Sequence, residues 1–433
     1  MLRAAAVALL LALTLVGCGG SSSGGTRGGR AHAVPAAPAE LGPAFGLTED
    51  NAELLYRPAV APAGAGAFAA ARERLSALHP QYVRLLVDWA ALQPDAGRPP
   101  ALGGHVDGCA RTVAPCGTYA GIREQLAAIA GQQRAARAEG HPAYEVVLDL
   151  FGVPSWAAAP ASGCELPDVR PFPRPISAAG LEGYKALIGS LLALGAREGV
   201  QLQWWAPWNE PNDLVFISPQ RASCSSTAPS TAPAVYAQLA EAMAAELHAV
   251  PGAHHLLLGE LNAFQSGSPH RTSLSEFIDA LPERVICLGD AWSIHAYAMY
   301  APKHEASPQP DTDPVASLEA VLDGRGECGR SARVWVTETG AGAPHPGRPR
   351  PPGGQAEEEG CVALARSLDR WAADPRVQAI FQYSFREDPA FPVGLLSADL
   401  THTYSTYRLW LSYARARARG QAPATSSSAD VCA

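Results

Sequence analysis

Short runs of β-branched and aromatic residues alternate along this chain with Ala- and Leu-rich stretches whose apolar positions recur at helical spacing. The runs fit buried strands at Phe45–Thr48, Tyr82–Val87, Glu145–Leu150, Leu202–Pro207, His255–Leu261, Ala291–His295, Val334–Glu338 and Ala379–Ser384. Helices are predicted near Ala67–Leu78, Tyr119–Glu139, Ala178–Glu198, Ala232–Val250, Ser273–Ala280, Val315–Leu322 and Gly360–Ala373, with a last one over Thr403–Arg417. Strict alternation of eight strands with these helices, without a break in composition, predicts a single α/β domain, a (β/α)8 TIM barrel. The competitor is a doubly wound open sheet, which normally carries a Gly-rich phosphate turn after an early strand. No G-x-G-x-x-G occurs here.

The connections after the second, third, fourth, sixth and seventh strands are long and rich in Pro, Gly, Ser or Cys. In a barrel these loops share the C-terminal face, where sites are built. The turn-rich composition, 41 Gly and 38 Pro in 433 residues, is thereby expected mainly in the long loops around a site. Apolar residues make up 47% and charged residues 17%, which excludes charge-rich disorder. The net charge of −8 and the absence of any Lys/Arg run argue against a nucleic-acid partner.

The N-terminus changes the expected compartment. A short positive start, Met1-Leu2-Arg3, precedes an apolar stretch over Ala4–Val16, 13 residues long. That is short of the roughly 20 residues needed to span a bilayer but suits a signal-peptide core. It ends in Leu15-Val16-Gly17-Cys18, which resembles a bacterial lipobox. The resemblance implies cleavage after residue 17 and lipidation of Cys18. Residues 18–38, Gly/Ser-rich at their start, are expected to be a flexible tether, 39–418 the barrel, and 419–433 a C-terminal tail. The protein is thus expected in a bacterial cell envelope, lipid-anchored outside the cytoplasm, touching the membrane through this lipid alone.

Eight further cysteines remain, an even number that favours disulfides in an oxidising compartment. Cys109 with Cys116 would staple the second loop, and Cys164 with Cys224 would tie the third loop to the fourth. Cys287 with Cys328 would join the approaches to neighbouring strands, and Cys361 with Cys432 would fasten the tail. No C-x-x-C or H-E-x-x-H spacing supports a metal, and no nucleotide or flavin signal supports a cofactor.

Two carboxylates carry the candidate chemistry. Trp204-Trp205-Ala206-Pro207-Trp208-Asn209-Glu210-Pro211-Asn212 ends the fourth strand, and Val334-Trp335-Val336-Thr337-Glu338-Thr339-Gly340 ends the seventh. Strand ends on the C-terminal face converge, so Glu210 and Glu338 can face one another across one pocket. Opposed carboxyls are what glycosidic cleavage requires: one to protonate the leaving oxygen, the other to attack or to activate water.

Trp-Asn-Glu-Pro-Asn after strand four, with Thr-Glu-Thr-Gly at strand seven, resembles the clan A glycoside hydrolases, retaining barrel enzymes such as cellulases and β-xylosidases. The resemblance implies Glu210 as acid/base and Glu338 as nucleophile. It further implies Asn209 as the partner of a sugar 2-hydroxyl, Arg84 as the cation keeping Glu338 ionised, and His295 and Tyr297 as positioners of the carboxylates. Trp208, expected at the rim, and Trp156 and Tyr383 are candidates to stack on sugar faces. The strand-eight end reads Gln382-Tyr383-Ser384-Phe385, without the Trp that the clan usually has there. The expected function is a retaining glycosidase hydrolysing O-glycosyl bonds in a β-linked polysaccharide or oligosaccharide. A glycan-remodelling transglycosylase with the same site and an inactive glycan-binding lipoprotein are the competing readings.

Overall fold

A computed structural model of the chain describes residues 42–57, 66–165, 172–297, 313–342, 350, 352–422 and 428–432. The expected signal peptide, Cys18 and the tether lie outside the described residues.

Eight parallel strands close into a barrel in sequence order: β1 Ala44–Thr48, β2 Tyr82–Asp88, β3 Glu145–Phe151, β4 Trp204–Ala206, β5 His255–Asn262, β6 Ala291–His295, β7 Val334–Thr339 and β8 Val377–Tyr383. β8 pairs with β1 from Ala44↔Ala379 to Thr48↔Tyr383, so the sheet has no open edge. All eight expected strands are present with ends shifted by at most two residues. The apolar pattern fixes which segments bury, and the barrel supplies their partners.

The helices follow local rules. In Ala178–Glu198, the Ser177 side chain accepts from the Gly180 amide, and Tyr184, Leu187, Ile188, Leu191 and Leu194 form one buried stripe. The helix stops at Gly199, whose φ of 73° only glycine adopts cheaply. Short helices at Ala52–Leu55, Trp89–Leu92, Glu283–Ile286, Gly326–Arg330 and Ser428–Cys432 were beyond the reach of periodicity, because one turn has no repeat. Among the described residues no helix is long and apolar enough to cross a membrane.

Aromatic rings fill the lumen below the site. Trp335 on β7 lies 4.2 Å from Trp204 on β4 and 4.8 Å from Tyr82 on β2, between ring centroids, and 5.8 Å from Phe381 on β8. β7 neighbours neither β4 nor β2, so these rings meet across the barrel interior. A Cβ on Gly46 of β1 would sit 2.3 Å from the Phe381 ring, which is why the strand is bare there. This plug closes the lumen from below and leaves the upper layer to polar residues.

The structure forms four disulfides, Cys109–Cys116, Cys164–Cys224, Cys287–Cys328 and Cys361–Cys432. These are the pairs that loop and strand placement predicts.

Candidate active site

Two residues beyond Tyr82 on the inward face of β2 stands Arg84, with no exposed surface. Its Nη1 donates to Glu338 Oε1 at 2.8 Å. Its Nη2 faces Asp149 Oδ2 at 2.7 Å, Glu260 Oε2 at 2.7 Å and Asn209 Oδ1 at 2.9 Å. Burial works against a charged guanidinium, yet Glu260, Glu338 and Asp149 outweigh it and hold Arg84 firmly protonated. One cation therefore ties together the ends of β2, β3, β5 and β7 and the loop after β4.

Glu338 departs from simple alternation. Trp335 points into the lumen, and regular pleating would turn a residue three positions on outward. Pairing of β7 with β8 slips between Val336 and Thr339, and its pairing with β6 slips between Ile294 and His295. The irregularity re-aims the strand end and brings Glu338 to Arg84. On its other oxygen, Oε2, Glu338 accepts from the Tyr297 hydroxyl. Burial first, and then the Glu338 charge, push the Tyr297 pKa well up, so this phenol stays a donor.

Glu210 leaves β4 by a sharper route. Its φ of 39° lies in the left-handed region, uncommon for a residue with a side chain. The turn is anchored on both sides. Asn209 N donates to Leu150 O at 2.9 Å, and Asn212 bridges to both backbone groups of Asn262 at 2.9 and 3.0 Å. Thus held, Glu210 Oε1 lies 2.8 Å from His295 Nδ1, which is also 3.4 Å from Glu338 Oε2. One oxygen each of Glu210 and Glu338 and one His295 nitrogen all lie within 4.8 Å of one another.

His295 sits between three acids. Its Nε2 lies 2.8 Å from Glu260 Oε2. Burial disfavours the charged ring, but Glu338, Glu210 and Glu260 together push its pKa up to about 10. The imidazolium then donates from both nitrogens and has no lone pair for a cation. This makes the trio of Glu210, His295 and Glu338 a poor metal centre despite its spacing.

No family model matches the sequence, and neither does any curated protein. Solved structures do match. A GH5_18 protein from Streptomyces cattleya in complex with GlcNAc shares 17% identity at a TM-score of 0.52, over 89% of this chain and 83% of that one. The catalytic domain of GH30 xylanase C from Talaromyces cellulolyticus shares 11% at 0.50, over 87% and 76%. The likeness shows a shared (β/α)8 barrel fold. The chain spans only 34% of another match, a calcium-binding mutant of beta-glucuronidase 2 from Bacteroides uniformis, at 9% identity, 86% coverage of this chain and a TM-score of 0.47.

Within that barrel the sequence-derived candidates divide. Arg84, Asn209, Glu210, His295, Tyr297 and Glu338 come together. Tyr383 stands beside them, its ring edge-on to Tyr297 with centroids 6.4 Å apart and to Phe391 at 5.9 Å. Trp208 does not reach the rim. It is 1% exposed, its Nε1 donates to Phe216 O at 2.9 Å, and its ring packs near Tyr184. The fold of the loop after β4 covers it, because its indole satisfies its one donor inside. Trp156 is half-buried: Nε1 donates to Gln93 O, and the ring packs edge-on to Trp89 and over Gly183.

Two buried acids were missed as site residues. Glu260 interrupts the apolar run Leu256-Leu257-Leu258-Gly259 of β5, which is the signal that could have found it. Gly259 at φ 106° and Glu260 at φ 51° form an irregularity where β5 slips against β6, and a Cβ on Gly259 would sit 2.2 Å from Ser293 O. Burial opposes its charge, but Arg84 and His295 dominate and hold the Glu260 pKa down at about 2. Asp149 is its opposite. Burial raises its pKa well above the carboxylate range, and Arg84 offsets this only in part.

Proposed function

We propose that the protein is a retaining glycoside hydrolase acting on a β-linked glycan. The observation that carries this reading is the approach of Glu210 and Glu338 to within 4.8 Å. Carboxyl groups about 5–5.5 Å apart suit a covalent glycosyl-enzyme, whereas inversion needs about 6.5–9.5 Å to admit water. In the first step a Glu338 oxygen attacks the anomeric carbon while Glu210 passes its proton to the leaving oxygen. Arg84 and Tyr297 each hold one oxygen of Glu338, which supports its role as the ionised nucleophile. In the second step Glu210 takes a proton from water, whose oxygen replaces Glu338 at the anomeric carbon. Asn209 turns its oxygen to Arg84, leaving its amide N–H groups for a sugar hydroxyl.

The test is a pair of variants. Glu338→Ala abolishes turnover and is rescued by azide with an inverted glycosyl azide as product, while Glu210→Ala retains substrates with activated leaving groups. Wild-type activity in both variants would sink the assignment. We further propose a lipid anchor at Cys18 outside the cytoplasm, which the four disulfides support. Cys18→Ser should then move the protein from the membrane fraction to the soluble one.

A further inference from the structure

Three phenylalanines stand together where the loops after β3 and β4 meet. Phe151 ends β3, and its ring lies edge-on to Phe172 with centroids 5.7 Å apart and to Phe216 at 5.9 Å. Asp149 points into the lumen at Arg84. Phe151 follows two residues later along an unbroken ladder with β2, so it shares that inward face and sits above Asp149. All three phenylalanines are half-buried, and Val215, next to Phe216, is 54% exposed. An apolar patch therefore meets solvent at the mouth of the barrel.

The patch adjoins the proposed acid. Asn209, beside Glu210, donates its amide to Leu150 O at 2.9 Å, one residue before Phe151. Asp213 N donates to Glu210 O at 3.0 Å and Phe216 N to Asp213 O at 3.2 Å, so two short turns link Glu210 to Phe216. Glu338 stands on β7, four strands from β3 and so across the barrel. In glycosidic cleavage the attacked sugar lies against the nucleophile and the leaving group lies against the acid. Phe151, Phe172 and Phe216 are therefore on the leaving-group side.

The rings are held before any substrate arrives. A Cβ on Gly152 would lie 2.5 Å from the Phe172 ring, so the bare glycine gives that ring its seat. Val153 N donates to Phe172 O at 2.8 Å, Trp208 Nε1 to Phe216 O at 2.9 Å, and Ser218 N to Pro173 O at 2.6 Å. Cys164–Cys224 ties the two loops together. Such preorganisation lowers the cost of binding. Phenyl rings offer no hydrogen bond to a hydroxyl, and Asp213 in the same loop turns one oxygen to the Val215 amide at 2.9 Å. The surface suits an apolar group better than a second sugar.

We infer that the enzyme takes β-glycosides of apolar alcohols, with Phe151, Phe172 and Phe216 holding the alkyl or aryl leaving group beside Glu210. The inference rests on the glycosidase reading. The glycosidic C–O bond breaks as a Glu338 oxygen bonds to the sugar, and the Glu210 proton departs with the alcohol. Water then gives its hydroxyl to the sugar and its remaining proton to Glu210.

The experiment compares octyl with methyl β-glycosides of glucose, mannose, xylose, galactose and N-acetylglucosamine, below micellar concentrations, and with β-linked disaccharides of the same sugars. Octanol and methanol are leaving groups of similar acidity, so their ratio reads contacts to the chain rather than bond chemistry. The wild type should show a kcat/KM roughly tenfold higher for the octyl glycoside, as burial of about two methylenes supplies. Phe172→Ala and Phe216→Ala should each pull that ratio toward one. Each ratio is read within one variant, so partial loss of folded protein does not move it. Equal octyl and methyl values in the wild type, or cleavage of disaccharides with the octyl glycosides inert, overturn the inference and leave the glycosidase reading standing. An unchanged ratio in both variants overturns the inference as well. No cleavage of any substrate overturns both.

Discussion

Nε2 of His295 stands 2.8 Å from Oε2 of Glu260, a carboxylate with no exposed surface. The same ring reaches Glu210 from its other nitrogen, so Glu260 acts on the proposed acid through an imidazolium rather than by contact. Glu260→Gln keeps the shape and removes the charge. Its expected effect is a lower His295 titration point in the imidazole NMR signals. Turnover should fall roughly tenfold to a hundredfold, less than or comparable to the roughly 10²–10⁴ ascribed to a general acid itself. An unmoved imidazole titration would show that Glu260 does not set the ring's charge.

The charge on His295 also links stability to pH. Its pKa is about 10 in the folded protein against an ordinary 6.5. A group whose proton is held more tightly in the folded state stabilises fully below its ordinary value and loses that stabilisation as pH rises toward the folded one. The contribution is complete below pH 6.5 and gone above about pH 10. Urea unfolding of wild type and His295→Gln across this window should show the stability gap closing as pH rises.

Trp208 and Tyr383 should respond oppositely. Trp208 is enclosed, so Trp208→Ala is expected to cost about 3–5 kcal/mol in unfolding free energy. The milder Trp208→Phe should lower Tm and leave KM unchanged. Tyr383→Ala, whose ring stands edge-on to Tyr297 beside Glu338, should instead raise KM with a smaller effect on Tm. A KM change for Trp208→Phe larger than that for Tyr383→Ala would return Trp208 to the sugar face.

The disulfides should rank by the loop they close. Cys361 and Cys432 are 71 residues apart, and Cys109 and Cys116 only 7. Chain-entropy arguments give about 4 kcal/mol for the first and about 2 kcal/mol for the second. Paired Cys→Ala variants followed by denaturant unfolding test the order.

Much of this architecture was legible residue by residue. The period of each apolar run named the strands, and two short motifs named Glu210 and Glu338. Cysteine positions relative to those strands gave the four pairings. What stayed hidden has one physical cause: closure of the barrel joins residues whose sequence neighbours say nothing about one another. Arg84 meets Glu338 across 254 residues, and Arg111 meets Asp388 across 277. Glu260 and Glu338 reach the lumen through slips in strand pairing, which alternation along a single strand does not reveal. Trp208 looked like a rim residue because its motif lies at a strand end, yet the loop after β4 folds over it. Local pattern determined the elements and pointed to the two candidate acids. Only packing across the lumen decided which side chains surround the two carboxylates, because barrel closure joins residues far apart in the chain.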